Sequence, residues 1–138
     1  MAEQFERRRL RVYVAGPISS DVFEGVHRGF AAGKQLFQDG LAPFIPHADA
    51  FWFLGEGNWN AYLEYDLEYV SVCDAVYRLA GPSKGADLEV DVAIQLGIPI
   101  FYESRGEYGS LVRHARLFGL DGKQQVVPQT AFGTQVHA

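Results

Sequence analysis

Residues 73–101, CDAVYRLAGPSKGADLEVDVAIQLGIPIF, decide the fold of this chain. Ala75–Leu79 is a short apolar run rich in strand formers. Ala80-Gly81-Pro82-Ser83-Lys84-Gly85 is a turn with two glycines and a proline. Ala86–Leu96 has helical period, Gly97 stops it, and Ile98–Tyr102 is strand-like again. Strand, turn, helix and strand in that order make a parallel β-α-β unit.

The helix of this unit carries an anomaly. Wound at about 100° per residue, it places Ala86, Leu88, Val90, Val92, Ala93, Ile94 and Leu96 on one broad apolar arc. Asp87, Asp91 and Gln95 take the other side, but Glu89 lands near the middle of the apolar arc. Burying a carboxylate without a partner costs several kcal/mol, so Glu89 must be paired, protonated or turned to a pocket. It sits one turn into a helix that follows a Gly-bearing loop, where amide donors point outward. Taken alone, such a Glu also fits a structural carboxylate bonded to a tyrosine or an amide.

Working outward, Leu10–Ala15 is an almost continuously apolar strand, as both-face burial requires. Gly16-Pro17-Ile18-Ser19 follows as a tight turn, then a helix over Val22–Gln38 that Gly40 stops. Phe23, Val26, Phe30 and Phe37 are expected in the core, with Arg28 and Lys34 in solvent. Leu41–Ile45 is the second strand, ending at Pro46-His47. The aromatic, aperiodic segment 48–58 reads equally as a loop over a cleft or as a packed connection.

Trp59–Cys73 is helical and repeats the anomaly. Asp66 falls inside an arc of Tyr62, Tyr69 and Val70. Past Tyr102, a loop leads to a short amphipathic helix near Ser110–Phe118, and Val126–Val127 suggests another short strand. The expected fold class is therefore α/β. It is a Rossmann-like open parallel sheet of about five strands with helices on both faces, a single domain over 1–138. Residues 1–9 and 129–138 are expected to be flexible or laid on a partner subunit.

Composition narrows the function. The chain has 138 residues, 48% hydrophobic and 21% charged, with a net charge of −5. That balance disfavours a nucleic-acid polymer as partner. Arg7-Arg8-Arg9 is read as a solvated arm. No stretch approaches the ~20 apolar residues of a membrane helix. The lone Cys73 cannot pair internally and reads as a reduced core residue in a cytoplasmic protein. Histidines are scattered, so no metal is expected. Dinucleotide and Walker A fingerprints are missing, which argues against hydride transfer and NTP hydrolysis, and no cofactor is expected.

In an open parallel sheet, ligands sit beyond the carboxyl ends of the strands. The elements expected there are Gly16, Pro17, Ile18 and Ser19, then His47, then Ser83 and Gly85. Ser19 and Ser83 can each donate a hydroxyl to a phosphate or sugar, although plain helix capping explains each serine too. Two carboxylates in one cleft suit cleavage of a glycosidic bond: one attacks the anomeric carbon and the other assists the leaving group. Tyr13, inward from the first strand, is placed to hold the nucleophile.

These pieces resemble the nucleoside 2-deoxyribosyltransferase-like superfamily, which includes deoxyribosyltransferases and 5′-monophosphate deoxynucleoside N-hydrolases. The similar stretches are VYVAGPIS (12–19), DLEYVSVCD (66–74) and PSKGADLEVDVAIQLGIPI (82–100). The resemblance implies Glu89 as nucleophile, Asp66 as the acid near the leaving base and Tyr13 as the group orienting Glu89. It implies the sugar-phosphate side at Gly16–Ser19 and a structural role for Asp74. Transferases acting on free nucleosides place Asp where Ser83 stands, whereas the monophosphate hydrolases place Ser. Position 83 therefore points to a nucleotide N-hydrolase, with a deoxyribosyltransferase and a non-catalytic nucleotide-binding module as rivals. One departure is that Ser20 and Asp21 stand where those hydrolases carry an Arg. A small-molecule nucleoside or nucleotide substrate and a homodimer or homotetramer are further implications.

Overall fold

The computed structural model describes residues 5–18, 21–49 and 58–122. Four parallel strands form the sheet: β1 (Arg11–Ala15), β2 (Ala42–Phe44), β3 (Ala75–Arg78) and β4 (Ile100–Tyr102), in the order β2-β1-β3-β4. Four helices connect or follow them: α1 (Val22–Gln38), α2 (Trp59–Val70), α3 (Lys84–Gln95) and α4 (Tyr108–Leu117). Short 3₁₀ turns occupy Pro46–Asp49 and Glu103–Arg105. The Rossmann-like α/β expectation holds. Among the described residues the strand count is four rather than about five, and Val126–Val127 lies outside them.

Strand alternation divides the core in two. Val12, Val14, Ala75 and Tyr77 face α1 and α4, where Ala32, Leu36, Leu111 and Ala115 cover them. Tyr13, Ala15 and Val76 face α2 and α3, where Val70, Ala86, Val90 and Ala93 cover them. The chain passes from β1 to β2 on one side and then crosses to β3 on the other. The order therefore reverses at β1 and β3, which opens a crevice at their carboxyl ends.

Two helices bury a different face from the one expected. In α1, Phe23 and Phe37 are 86% and 59% exposed, and Phe30 is exposed as well. The buried stripe is Gly25, Val26, Gly29, Ala32, Gly33 and Leu36. Small residues win there because the helix lies against backbone and rings. A Cβ on Gly25 would come within 2.6 Å of Ile18 Cα, and one on Gly29 within 2.5 Å of the His47 ring. In α3, Leu88, Ile94 and Leu96 are exposed, and the buried stripe is Gly85, Ala86, Glu89, Val90 and Ala93. Glu89 is central to the stripe that meets the sheet.

The Arg7–Arg9 run is no solvated arm. Arg7 pairs with Asp74, and Arg9 donates to the carbonyls of Phe37 and Leu41. Arg9 also lies 4.6 Å from the centre of the Phe37 ring. Asp74 accepts from the Arg11 amide at 2.7 Å, a structural role at the sheet's start. Cys73 is a buried free cysteine.

Candidate active site

Each acid is placed by its helix. Ser83 caps α3 by accepting from the Ala86 amide at 3.1 Å, so the helix starts at Lys84, two residues earlier than its apolar period implies. That start orients Glu89 inward onto Tyr13 of β1. The Tyr13 hydroxyl donates to Glu89 Oε2 at 2.7 Å. Tyr13 is fully buried and Glu89 is 6% exposed. Burial pushes the Glu89 carboxyl up to about 7, against the Tyr13 hydrogen bond and the Arg78 charge, which both favour the anion. Burial, reinforced by the Glu89 charge, raises Tyr13 well above the ordinary phenol, so it remains a donor.

Asp66 hangs from the middle of α2, which Asn58 caps by accepting from the Ala61 amide. Burial pushes its carboxyl up to about 8, helped by a hydrogen bond with Asp49 and by the charges of Glu89 and Asp49. The Glu89 charge is thus among the influences that raise Asp66. Aromatic rings line that side. Phe44 stacks on Tyr13 at 5.6 Å and on Tyr69 at 4.3 Å, and Tyr65 meets Tyr69 edge-on at 5.2 Å.

The loops around the crevice brace one another. A Cβ on Gly16 would come within 2.9 Å of Leu79, and one on Gly81 within 3.2 Å of Pro17. Gly81 has φ +114°, which a side chain rarely tolerates. Pro17 and Ile18 are also held from below by Gly25. Asp21 caps α1 through the Glu24 amide at 3.1 Å, so its carboxylate is committed to the helix start. Gly85 packs under the Trp59 ring, 3.2 Å from where a Cβ would stand. His47 is 2% exposed, its ring against Gly29, and neither nitrogen meets a partner among the described residues. Burial, with the Arg28 charge, lowers His47 to about 4, so the ring is neutral. Ser19 and residues 50–57 lie outside the described residues.

Several site residues escaped the sequence reading. Arg78, the last residue of β3, donates to the carbonyls of Leu79 and Gly81 and to Asp87 at 2.9 Å. It fixes the turn before α3 while its charge favours ionised Glu89. A charged residue inside the run AVYRL was the available signal. Arg28, expected in solvent, reaches the Ala80 carbonyl at 2.9 Å and Glu103 at 3.1 Å. Glu103 in turn accepts from the Ala80 amide at 2.7 Å. Asp49, at the end of its 3₁₀ turn, had no periodic signal at all. Among the described residues, no cluster of three or more His, Cys, Asp and Glu has the arrangement of a metal site. Nor is any described helix long and apolar enough to cross a membrane.

The profile of a family described as "Domain of unknown function (DUF4406)" matches residues 10–102. No curated protein matches the sequence. Among solved structures, the chain is similar to the 2-deoxyribosyltransferase of Bacillus psychrosaccharolyticus, with 20% identity and a TM-score of 0.56 over 67% of this chain and 70% of that one. It is also similar to the 2-deoxyribosyltransferase of Leishmania mexicana, with 17% identity and a TM-score of 0.53 over 67% of this chain and 63% of that one. The chain belongs to the DUF4406 family and shares its fold with these two 2-deoxyribosyltransferases.

Proposed function

We propose that this protein cleaves the N-glycosidic bond of a (deoxy)nucleoside 5′-monophosphate through a glycosyl intermediate on Glu89, which water resolves. The reading rests on one observation above all: the buried Glu89 is held by the Tyr13 hydroxyl at 2.7 Å, and its charge reaches Asp66. In this reading a Glu89 oxygen attacks the anomeric carbon as the bond to the base breaks, and Asp66 protonates the departing base. The tyrosine bond and the Arg78 charge keep part of Glu89 ionised near neutral pH despite burial.

Ser83 supports the monophosphate. Its oxygen accepts from the Ala86 amide, and a hydroxyl that accepts can also donate, here beside the N-terminus of α3. An Asp at that position would repel a phosphate dianion by several kcal/mol at low effective dielectric. Asp21, which would be unwelcome near a phosphate, is occupied as a helix cap.

Transfer of deoxyribose to a second base is the alternative, favoured by the named activity of the two similar structures. The chemistry to Glu89 is the same, and only the acceptor differs. Incubation with each nucleoside and nucleoside monophosphate, followed by chromatography for free base, tests the reading. Base release that Glu89→Ala abolishes is the expected result, and full activity in that variant refutes it. Addition of a second base separates the readings, since a new nucleoside appears only with transfer.

A further inference from the structure

Three consecutive carbonyls after β3 are each held by a guanidinium. Arg78 donates to the carbonyls of Leu79 and Gly81, the latter at 3.0 Å, and Arg28 donates to the Ala80 carbonyl between them at 2.9 Å. The two arginines come from different layers, Arg78 from the strand itself and Arg28 from α1. The amides are committed as well. Leu79 donates to the Ala15 carbonyl at 2.7 Å, and Ala80 donates to Glu103 Oε1 at 2.7 Å. The same Oε1 accepts from Arg28 Nη2 at 3.1 Å, and that Nη2 is the atom bonded to the Ala80 carbonyl. One ion pair, joining α1 to the residue after β4, therefore grips Ala80 by both its polar backbone groups.

Stability is a poor account of this pair. The Arg28 and Glu103 side chains are 31% and 41% exposed, and ion pairs so exposed add little to folding. What they hold is a turn with little packing of its own. Gly81 and Pro82 are exposed, and Gly81 has φ +114°. Ser83 stands two residues beyond Gly81 and caps α3. The loop after β1 leans on the same spot: a Cβ on Gly81 would stand 3.2 Å from Pro17 and 3.7 Å from Arg28 Nη1.

We propose that Arg28 and Glu103 are positioning residues whose ion pair fixes the Ala80 peptide groups and thereby aims Ser83 at the 5′ group of the substrate. This inference rests on the N-glycosidic reading above and concerns the binding of the 5′ group alone. Glu89 is placed separately, by the Tyr13 bond and by the packing of α3 on the sheet. Arg78 shares the turn, but its charge also acts on Glu89, so the outer pair is the one that separates alignment from ionisation.

Glu103→Gln and Glu103→Ala test the role. Both bonds fall on one oxygen, Oε1, which glutamine supplies as its amide carbonyl. Glutamine should therefore hold kcat/KM for a deoxynucleoside 5′-monophosphate within about threefold of the wild type. Alanine should raise KM about tenfold or more and leave kcat within about threefold, because alignment is lost while Glu89 is untouched. Its melting temperature should stay within about 4 °C of the wild type. A purely electrostatic role predicts otherwise, since removing an acid near a phosphate favours binding in both variants. Arg28→Met should raise KM as Glu103→Ala does. The double variant should fall no more than about threefold below the worse single one, because the two side chains act as a unit. Equal effects of glutamine and alanine, a loss carried by kcat, a larger drop in melting temperature, or losses that multiply each overturn the proposal.

Amide hydrogen exchange reads the hold on the turn without substrate. The Ala80 amide should be protected in the wild type and in Glu103→Gln, and should exchange at least about tenfold faster in Glu103→Ala. If that amide is unprotected in the wild type, the proposal is overturned whatever the activity. A protected amide in a protein that releases no base from any nucleoside or monophosphate refutes the N-glycosidic reading, and with it the positioning role, while the grip of the ion pair on Ala80 stands.

Discussion

Tyr13 and Glu89, 76 residues apart in the chain, are joined by a 2.7 Å hydrogen bond in which the phenol donates to the carboxylate. The bond ties the central strand of the sheet to the helix beyond the adjacent strand. It also opposes burial, which would otherwise drive Glu89 further toward its neutral form. One contact therefore joins strand to helix and sets the ionisation of Glu89.

Tyr13→Phe should remove the bond and keep the packing, because the ring still stacks on Phe44. Without the donor the Glu89 carboxyl rises above about 7. The acid limb of the pH–rate profile is expected to move to higher pH. At pH 7, kcat/KM is expected to fall about tenfold to a hundredfold, mostly in kcat. Steady-state kinetics across pH 5.5–9, a range of about 3.5 units around the shifted carboxyls, reads both effects. A lowered kcat with an unmoved limb would show that Tyr13 acts other than through the ionisation of Glu89.

Stability carries the opposite sign from activity at Glu89. The folded carboxyl titrates near 7, above its ordinary value of 4.5. A raised carboxyl contributes full stability below its unfolded value and loses it as pH climbs through the folded one. Wild-type protein should therefore lose stability between about pH 4.5 and 7 on this account, by a few kcal/mol at most. Glu89→Gln should escape that loss. Its melting temperature should match the wild type near pH 4.5 and exceed it at pH 8, while base release disappears. Thermal denaturation of both proteins at the two pH values checks this, and a variant less stable at pH 8 contradicts it.

The bond between Tyr13 and Glu89 was legible because two periodicities converge on it. Strand alternation turns Tyr13 inward, and helical winding from residue 86 turns Glu89 inward. Asp66 followed from the same winding on the neighbouring helix. The face of α1 was misjudged for the converse reason. Phe23, Phe30 and Phe37 outweighed Gly25, Gly29 and Gly33 on any hydrophobic scale, yet close approach to Ile18, Ile45 and His47 selects the residues without side chains. Asp49 and Arg28 belong to no apolar period. Their partners, Asp66, Ala80 and Glu103, lie far away in sequence, so only the folded chain discloses them.

Gly29 tests that account of α1. Its missing Cβ would stand 2.5 Å from Cγ and 2.7 Å from Nδ1 of His47, a ring that is itself buried. Gly29→Ala gains helix propensity but forces the ring or the helix to shift, and overpacking of this kind costs about 1–3 kcal/mol. Denaturant unfolding should show a net loss. Adding His47→Ala should recover part of it, because the clash is pairwise, whereas independent sites would add. A stabilised Gly29→Ala protein would mean that α1 stands off from the Pro46–Asp49 turn.

On the proposed reading, a substitution at Ser83 separates the two substrate classes without disturbing the fold. Its side-chain oxygen caps α3 by accepting from the Ala86 amide, and aspartate caps a helix equally well. Ser83→Asp should consequently melt within about 1 kcal/mol of the wild type, whereas Ser83→Ala should lose about that much as an uncapped helix. The electrostatic change is far larger than the structural one. A carboxylate in place of the hydroxyl faces the phosphate of a monophosphate substrate and repels it by several kcal/mol at low effective dielectric. The kcat/KM for nucleoside monophosphates should fall at least about a hundredfold, carried largely by KM. A free nucleoside, whose 5′-hydroxyl can donate to the new carboxylate, should gain or hold its rate. Comparing the two substrates on the same variant cancels any general loss of activity. If both fall together, or if the monophosphate is unaffected, position 83 does not contact the 5′ group, and the preference for a monophosphate loses its support while the chemistry at Glu89 stands.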